Sequence, residues 1–374
     1  MKLIVDARYT RIGFHDGISR YTASLLTALH ELIESQDSHL PRDFQLVMAI
    51  HDLRQLEMLP PLPYITICSP TSALEPLAAL QLNRHNPDVV FSPMQTLGLG
   101  GLGRKFKLIL TLHDLIYYSY PTPPSFLPLP VRLGWRVFHS TYAPQQYLLN
   151  SADAVATVSA TTADLIRQHS LTHRCLVEIP NAPQPGSIVT EAQALAALST
   201  RTKDLIYMGS FMPYKNVETL LRAMKFLPDY RLHLLSKISP HRKAELLPLA
   251  GANVTFHNGV SDEEYRNWLG RAHALLTASK EEGYGLPVAE AQAAGCPVVL
   301  SDIPIFREIA PKAHFASTHN AWEFAQAIRG LSAPAVAQQA VRAGLKDSQR
   351  YSWQASALTL VETAMKLYQG QAEA

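Results

Sequence analysis

The chain has 374 residues, 47% apolar and 17% charged, enough apolar material for two buried cores and too little charge for a disordered protein. The formal net charge is +2, with 14 Lys/Arg against 14 Asp/Glu in residues 1–183 and 19 against 17 in the remainder, so neither half is a polycation and the balance argues against a nucleic-acid partner. Cys68, Cys175 and Cys296 form no CxxC pair and suit a reducing compartment, with Cys296 reading as a small core residue.

The N-terminus, MKLIVDAR, lacks the apolar stretch of a signal peptide and reads as a first strand. No apolar run reaches the roughly 18 residues of a spanning helix. A cytoplasmic protein is expected, with contact to a membrane surface left open. GISRYTASLL then opens a helix over 19–33. QLVMAI, YITIC, DVVFS and KLILTL read as buried strands. Gly98-Leu-Gly100-Gly101-Leu-Gly103 is a literal GxGxxG, but it precedes a strand instead of linking a strand to a helix, so it reads as a loop. Residues 121–142 are proline-rich and then amphipathic, with Leu133, Trp135, Val137 and Phe138 beside Arg132 and Arg136. They form either an ordinary core-facing helix or a basic-aromatic patch for anionic lipid.

AVATVS is a further strand, and NAPQPGS is a loop. DLIYMGS restarts the strand–helix pattern, followed by a helix over 216–227 and by the strands RLHLLS, NVTFHNG, HALLTAS, CPVVLS and AHFAS. Such alternation predicts parallel sheets covered by helices on both faces. The expected architecture is α/β, with two doubly wound Rossmann-like domains facing across a cleft. The domains are set at 1–183 and 200–350. The helix closing the chain, 351–374, has its apolar positions (Trp353, Ala357, Leu360, Ala364, Leu367) at helical spacing. It packs either on the nearer domain or back on the first. Sheets of this kind bind ligands at the carboxyl ends of their strands.

KEEGYGLPVAE, residues 280–290, follows one such strand end. Pro287 suits a first helical turn. Gly283 and Gly285 allow a ligand close to the backbone, and N–H groups at a helix start favour an anion. Glu290 is placed to accept both hydroxyls of a ribose, and Glu282 those of a second ring. The stretch reads as a grip for a sugar–diphosphate–nucleoside. The alternative is a loop with solvated glutamates.

Glu282 and Glu290 together resemble the E-x7-E motif of retaining glycosyltransferases of the family 4 class (glycosyl transferases group 1), which have the GT-B fold. GISRYTASLL, TLHDLIYYSYP, TVSATTADLI, IPNAPQP, YMGSFMPYKNVETLLRA and SDIPIFREIA resemble other segments of that family, so the likeness runs along nearly the whole chain. It implies a nucleotide-sugar donor and transfer of a hexose to a glycan or lipid-linked acceptor. His113, Lys215 and Glu282 carry the chemistry by this resemblance. Lys215 binds the donor diphosphate after Gly209, and His113 lies beside the reacting sugar carbon. Glu290 holds the ribose and Glu282 the transferred sugar. The backbone of Gly283, Tyr284, Gly285 and Leu286 faces sugar and phosphates. Many members carry an arginine after the loop glycine; here the position is Ser210. Gly17 lies where the first domain would close over the phosphates; Arg20, one helical turn on, either reaches phosphate or lies solvated on its helix, and Val260 either contacts the base through its backbone or is an ordinary loop valine. Asp114 orients His113 or caps a turn. No D-x-D occurs in the chain, and neither a metal nor a cofactor is expected. Likeness to mannosyltransferase-like members implies GDP-mannose. Glucosyl or rhamnosyl transfer, or a non-catalytic nucleotide-sugar-binding module, stay open.

Overall fold

The structure, a computed structural model, describes residues 1–123 and 129–370. These divide into two units, one formed by Met1–Asn181 with the segment from Ser352, the other by Ala182–Tyr351.

In the first unit seven strands form one sheet: β1 (Lys2–Asp6), β2 (Gln45–Ile50), β3 (Tyr64–Thr66), β4 (Val89–Ser92), β5 (Lys107–Leu112), β6 (Ala154–Thr157) and β7 (Cys175–Glu178). Their order is β3-β2-β1-β4-β5-β6-β7, and every pairing is parallel. VVFS and AVAT are wholly buried, as continuous apolar strands covered on both faces must be. The edge strand β7, CLVE, was not expected from the sequence; it is only half-buried and ends on a glutamate.

Helix Gly17–Glu34 starts where Asp16 accepts the backbone N–H of Ser19, a cap worth about 1 kcal/mol. Its buried side, from Tyr21 through Leu25, Leu29 and Leu32, follows helical spacing. Helix Trp353–Tyr368 packs against it. Trp353, Ala357, Leu360, Ala364 and Leu367 are all buried, and Ser356 donates to the carbonyl of Pro180 at 2.7 Å. The closing helix therefore completes the first unit. The GxGxxG stretch is a run of turns leading into β5.

The second unit has six parallel strands, β8 (Asp204–Tyr207), β9 (Arg231–Leu234), β10 (Val254–Phe256), β11 (Ala274–Thr277), β12 (Val298–Ser301) and β13 (His314–Ala316). Their order is β10-β9-β8-β11-β12-β13. Residues 184–199, left outside both sequence domains, belong here, as do Ala182 and Pro183, which the sequence reading set in the first domain. Helix Glu191–Ala197 buries Ala194 against Val341 and Leu345.

Both sheets reverse their winding once, between β1 and β4 in the first and between β8 and β11 in the second. A doubly wound sheet opens its ligand crevice at such a switch point. Gly17 follows β1, His113 follows β5, Lys215 follows β8 and Glu282 follows β11.

Candidate active site

The second switch point is built from two loops, 208–216 and 278–285. Backbone and side chain stitch them together. The N–H of Lys280 donates to the carbonyl of Tyr214 at 2.8 Å. Asn216, at φ 51°, donates through Nδ2 to the carbonyls of Ala278 at 3.0 Å and Thr318 at 2.6 Å.

This framework brings together two residues given separate roles by the resemblance. Lys215 Nζ lies 2.6 Å from Glu282 Oε1, with side chains 16% and 11% exposed. An ammonium beside the start of helix Val217–Ala223 is electrostatically unfavourable by itself, and Glu282 supplies the offsetting charge. The same Oε1 accepts the hydroxyl of Ser279 at 2.7 Å. Ser279 in turn contacts Thr277 Oγ1 at 3.0 Å, and its carbonyl accepts from Ser301.

Gly285 takes φ 99° at the entry to helix Leu286–Ala293, and a Cβ there would stand 2.8 Å from the ring of Phe306. Only glycine satisfies both constraints. Tyr284 points inward: it is 4% exposed and its ring meets Tyr351 edge-on at 5.8 Å. It anchors the loop and leaves only its backbone for a ligand. Gly283 and Leu286 are half-buried. Glu290 is 5% exposed on a helix whose neighbouring positions Val288, Ala289, Ala291 and Gln292 are buried too.

In the first loop, the N–H of Gly209 donates to Ser236 at 2.9 Å, and the Tyr207 hydroxyl donates to the carbonyl of Ser210. The Ser210 side chain is exposed. Arg242 braces the loop: Nε donates to the carbonyl of Phe211 at 2.8 Å, while Glu218 and Glu245 take the rest of the guanidinium. It therefore does not occupy the role of the missing loop arginine. Val260 follows the edge strand β10, two strands from β8.

At the first switch point, His113 Nε2 meets the carbonyl of Pro93 at 2.8 Å. A carbonyl only accepts, so Nε2 carries the proton and Nδ1 holds the lone pair. Burial lowers the imidazole pKa, although the Pro93 bond and Asp16 favour its charge, so the ring is neutral at pH 7. Tyr21 lies edge-on to it, centroids 5.1 Å apart. Asp114 accepts the N–H of Ile116 at 3.0 Å and so caps a turn. Gly17 is exposed at its helix start, and a Cβ there would meet nothing within 4 Å. Arg20, half-buried, lies one turn on.

Sequence reasoning missed Ser279, Thr277, Tyr21 and the pair Asp6–Arg8. Arg8 and Asp6 are wholly buried at the end of β1, joined at 2.8 Å and 2.9 Å as a two-pronged pair. Two hydroxyls two residues apart in TAS, at the end of a buried strand, were the available signal for Thr277 and Ser279.

Residues 15–182 match Glycosyltransferase Family 4, and residues 190–334 match Glycosyl transferases group 1. The chain belongs to the family 4 class of GT-B glycosyltransferases. The two matched regions fall on the two units. Among curated proteins, the serotype-specific mannosyltransferase WbdA of Escherichia coli is 31% identical over 155 residues, 39% of this chain and 18% of WbdA. The O-antigen chain mannosyltransferase RfbU of Salmonella typhimurium is 33% identical over 108 residues, 27% of this chain and 30% of RfbU. The matched stretches thus span less than a third of these relatives. Among solved structures, a sucrose-phosphate synthase from Thermosynechococcus elongatus superimposes with a TM-score of 0.74 at 19% identity, covering 99% of both chains. HepE from Anabaena, in complex with UDP and glucose, gives 0.68 at 16% identity over 97% of this chain and 99% of its own. That family has the GT-B fold, and both Rossmann-like sheets of this chain conform to it.

Proposed function

We propose that the protein is a retaining glycosyltransferase that moves a hexose from a nucleoside diphosphate sugar to a hydroxyl of a glycan or lipid-linked acceptor. The observation that carries this reading is the Lys215–Glu282 pair at the β8/β11 switch point, beside the glycine loop of helix Leu286–Ala293. One ammonium N–H faces Glu282, and the other two suit the diphosphate. Breaking the bond from the anomeric carbon to the phosphate oxygen puts charge on the leaving group, and Lys215 neutralises it. The acceptor oxygen bonds the same face of the carbon and its proton passes to the departing phosphate, so no enzyme nucleophile is needed. Glu290 holds the ribose, and His113 offers Nδ1 to a sugar hydroxyl. Because Lys215 supplies the cation in this reading, turnover persists in EDTA.

Mannose from GDP-mannose is the first choice of donor, supported by the names of the relatives WbdA and RfbU. Another donor remains the competing choice, since a D-inositol 3-phosphate glycosyltransferase of Streptomyces coelicolor is 26% identical over 204 residues. A nucleotide-sugar-binding module without catalysis is the second reading, favoured by Ser210. The experiment is release of nucleoside diphosphate from GDP-mannose and UDP-glucose. Lys215→Ala and Glu290→Ala each lower it by about a hundredfold or more while the proteins stay folded. Near-normal release in a folded double variant contradicts the site.

A lipid-linked acceptor accords with the surface of helix Leu129–Phe138. Leu129, Val131, Leu133 and Val137 are 51–71% exposed there. No carboxylate occurs between Asp114 and Asp153, whereas Arg132 and Arg136 do. Exposed apolar side chains among arginines fit an anionic bilayer. No helix among the described residues is long and apolar enough to cross a membrane. Sedimentation with phosphatidylglycerol vesicles, lost in Leu133→Glu/Val137→Glu, is the expected result; equal binding by that variant refutes the contact.

A further inference from the structure

Glu282 is held in an uneven way. Both of its contacts among the described residues fall on one oxygen: Oε1 takes Lys215 Nζ at 2.6 Å and Ser279 Oγ at 2.7 Å. Ser279 itself is wholly buried. Its single hydroxyl proton goes to Glu282, so the Thr277 hydroxyl, 3.0 Å away, donates to Ser279. The Ser279 carbonyl is fixed from the end of β12 by the Ser301 hydroxyl. Two hydroxyls in series, Thr277 and Ser279, thus end on one carboxylate oxygen, while a third, Ser301, holds the Ser279 backbone from the neighbouring strand.

We propose that Ser279 is the positioning residue of this site: together with Lys215 it saturates Oε1, so that Glu282 presents Oε2 alone to the transferred sugar. The inference rests on the glycosyl-transfer reading and deepens it. A carboxylate oxygen only accepts, so the group it recognises must donate, as a sugar hydroxyl does. Without Ser279 the carboxylate keeps Lys215 but loses the second anchor, and rotation about its last torsion becomes soft. The grip on the diphosphate, which falls to Lys215 and the backbone, is left intact. Ser279 touches no substrate atom in this arrangement; it acts through Glu282.

The test separates the sugar's share of binding from the phosphate's. Dissociation constants are measured for GDP and GDP-mannose, and for UDP and UDP-glucose, on the full chain and on Ser279→Ala, Thr277→Val, Glu282→Ala and the double variant Ser279→Ala/Glu282→Ala. In Ser279→Ala the advantage of the nucleotide sugar over its nucleoside diphosphate falls by about tenfold, the worth of one hydrogen bond to a charged group, with the diphosphate constant unchanged. Thr277→Val, of nearly equal volume, lowers the advantage less, in the same direction. Ser279→Ala adds nothing in the Glu282→Ala background, as residues acting through one contact must behave. An unchanged advantage in both Ser279→Ala and Thr277→Val, while Glu282→Ala loses it, overturns the positioning role. So does a Ser279→Ala protein whose diphosphate and nucleotide-sugar constants weaken equally, since that marks a general disturbance of the loop. If none of the four ligands binds the unaltered chain, ADP, dTDP and their sugars are measured in the same way, and absence of binding to all of them fails the glycosyl-transfer reading itself.

Discussion

Each unit carries an ion pair at its switch point, and the two are built differently. At the end of β1, Asp6 and Arg8 are both 0% exposed, and the guanidinium fills both carboxylate oxygens. Arg8 Nη1 donates onward to the carbonyl of Cys68 at 3.1 Å, and Glu75 lies 3.6 Å from Nη2. The second pair, Lys215–Glu282, is partly exposed and joins through a single oxygen. Burial with saturated bonding makes the first pair architecture. Partial exposure with hydrogen-bonding capacity left over suits the second pair to receive a ligand.

That contrast breaks most sharply by exchange of readouts. Arg8→Ala strands a buried carboxylate and is expected to cost about 3–5 kcal/mol of stability, measured by denaturant unfolding. Lys215→Ala, although it also removes half of an ion pair, leaves its carboxylate within reach of water and is expected to cost under about 1 kcal/mol. A Lys215→Ala protein as destabilised as Arg8→Ala would make both pairs structural.

Gly285→Ala tests the loop that carries Glu282. It forces a side chain into φ 99° and against Phe306, and about 1–3 kcal/mol of destabilisation is expected. Wild-type thermal stability in that variant would show that the loop bends without cost.

The smallest effect is the acid response. Burial lowers the pKa of His113, His139, His233, His273 and His314 below the ordinary histidine value. In His233 the proton pattern is explicit. Nε2 donates to Asp204 at 3.1 Å and Nδ1 accepts from His257 at 3.0 Å, so a second proton sets two N–H groups face to face. A lowered folded pKa means that the unfolded chain binds more protons, so stability rises with pH through this window. It is full above about 6.5 and declines as pH falls below that. Thermal melts at pH 7.5 and 5.5 are expected to show the lower midpoint at 5.5; equal midpoints contradict it.

How far the sequence revealed these features depended on the range of the interaction. β-branched runs such as DVVFS and CPVVLS are legible because burial on both faces of a parallel strand leaves an unbroken apolar signature. β7 escaped because an edge strand need bury only part of itself, and CLVE mixes polar with apolar positions. The Ala-rich EAQALAALST is legible as a short helix, but the unit that it joins is not, because the partners of helix Glu191–Ala197, Val341 and Leu345, lie far along the chain. At the site, E-x7-E and the lysine of the KN loop were visible as residues. Their meeting was not, because it depends on the adjacency of β8 and β11, strands far apart in the chain. Ser279 and Thr277 carried only the weak signal of two hydroxyls two residues apart, and the buried Asp6–Arg8 pair looked like the charged end of an ordinary strand.

Lys215 is proposed as the cation that receives a donor diphosphate. Calorimetry with GDP, UDP, ADP, dTDP and their sugars, in EDTA, on the full chain and on Lys215→Ala, tests it most directly. Binding of one diphosphate that vanishes in Lys215→Ala is the expected result and also identifies the base. Binding that survives the substitution unchanged would remove Lys215 from that role.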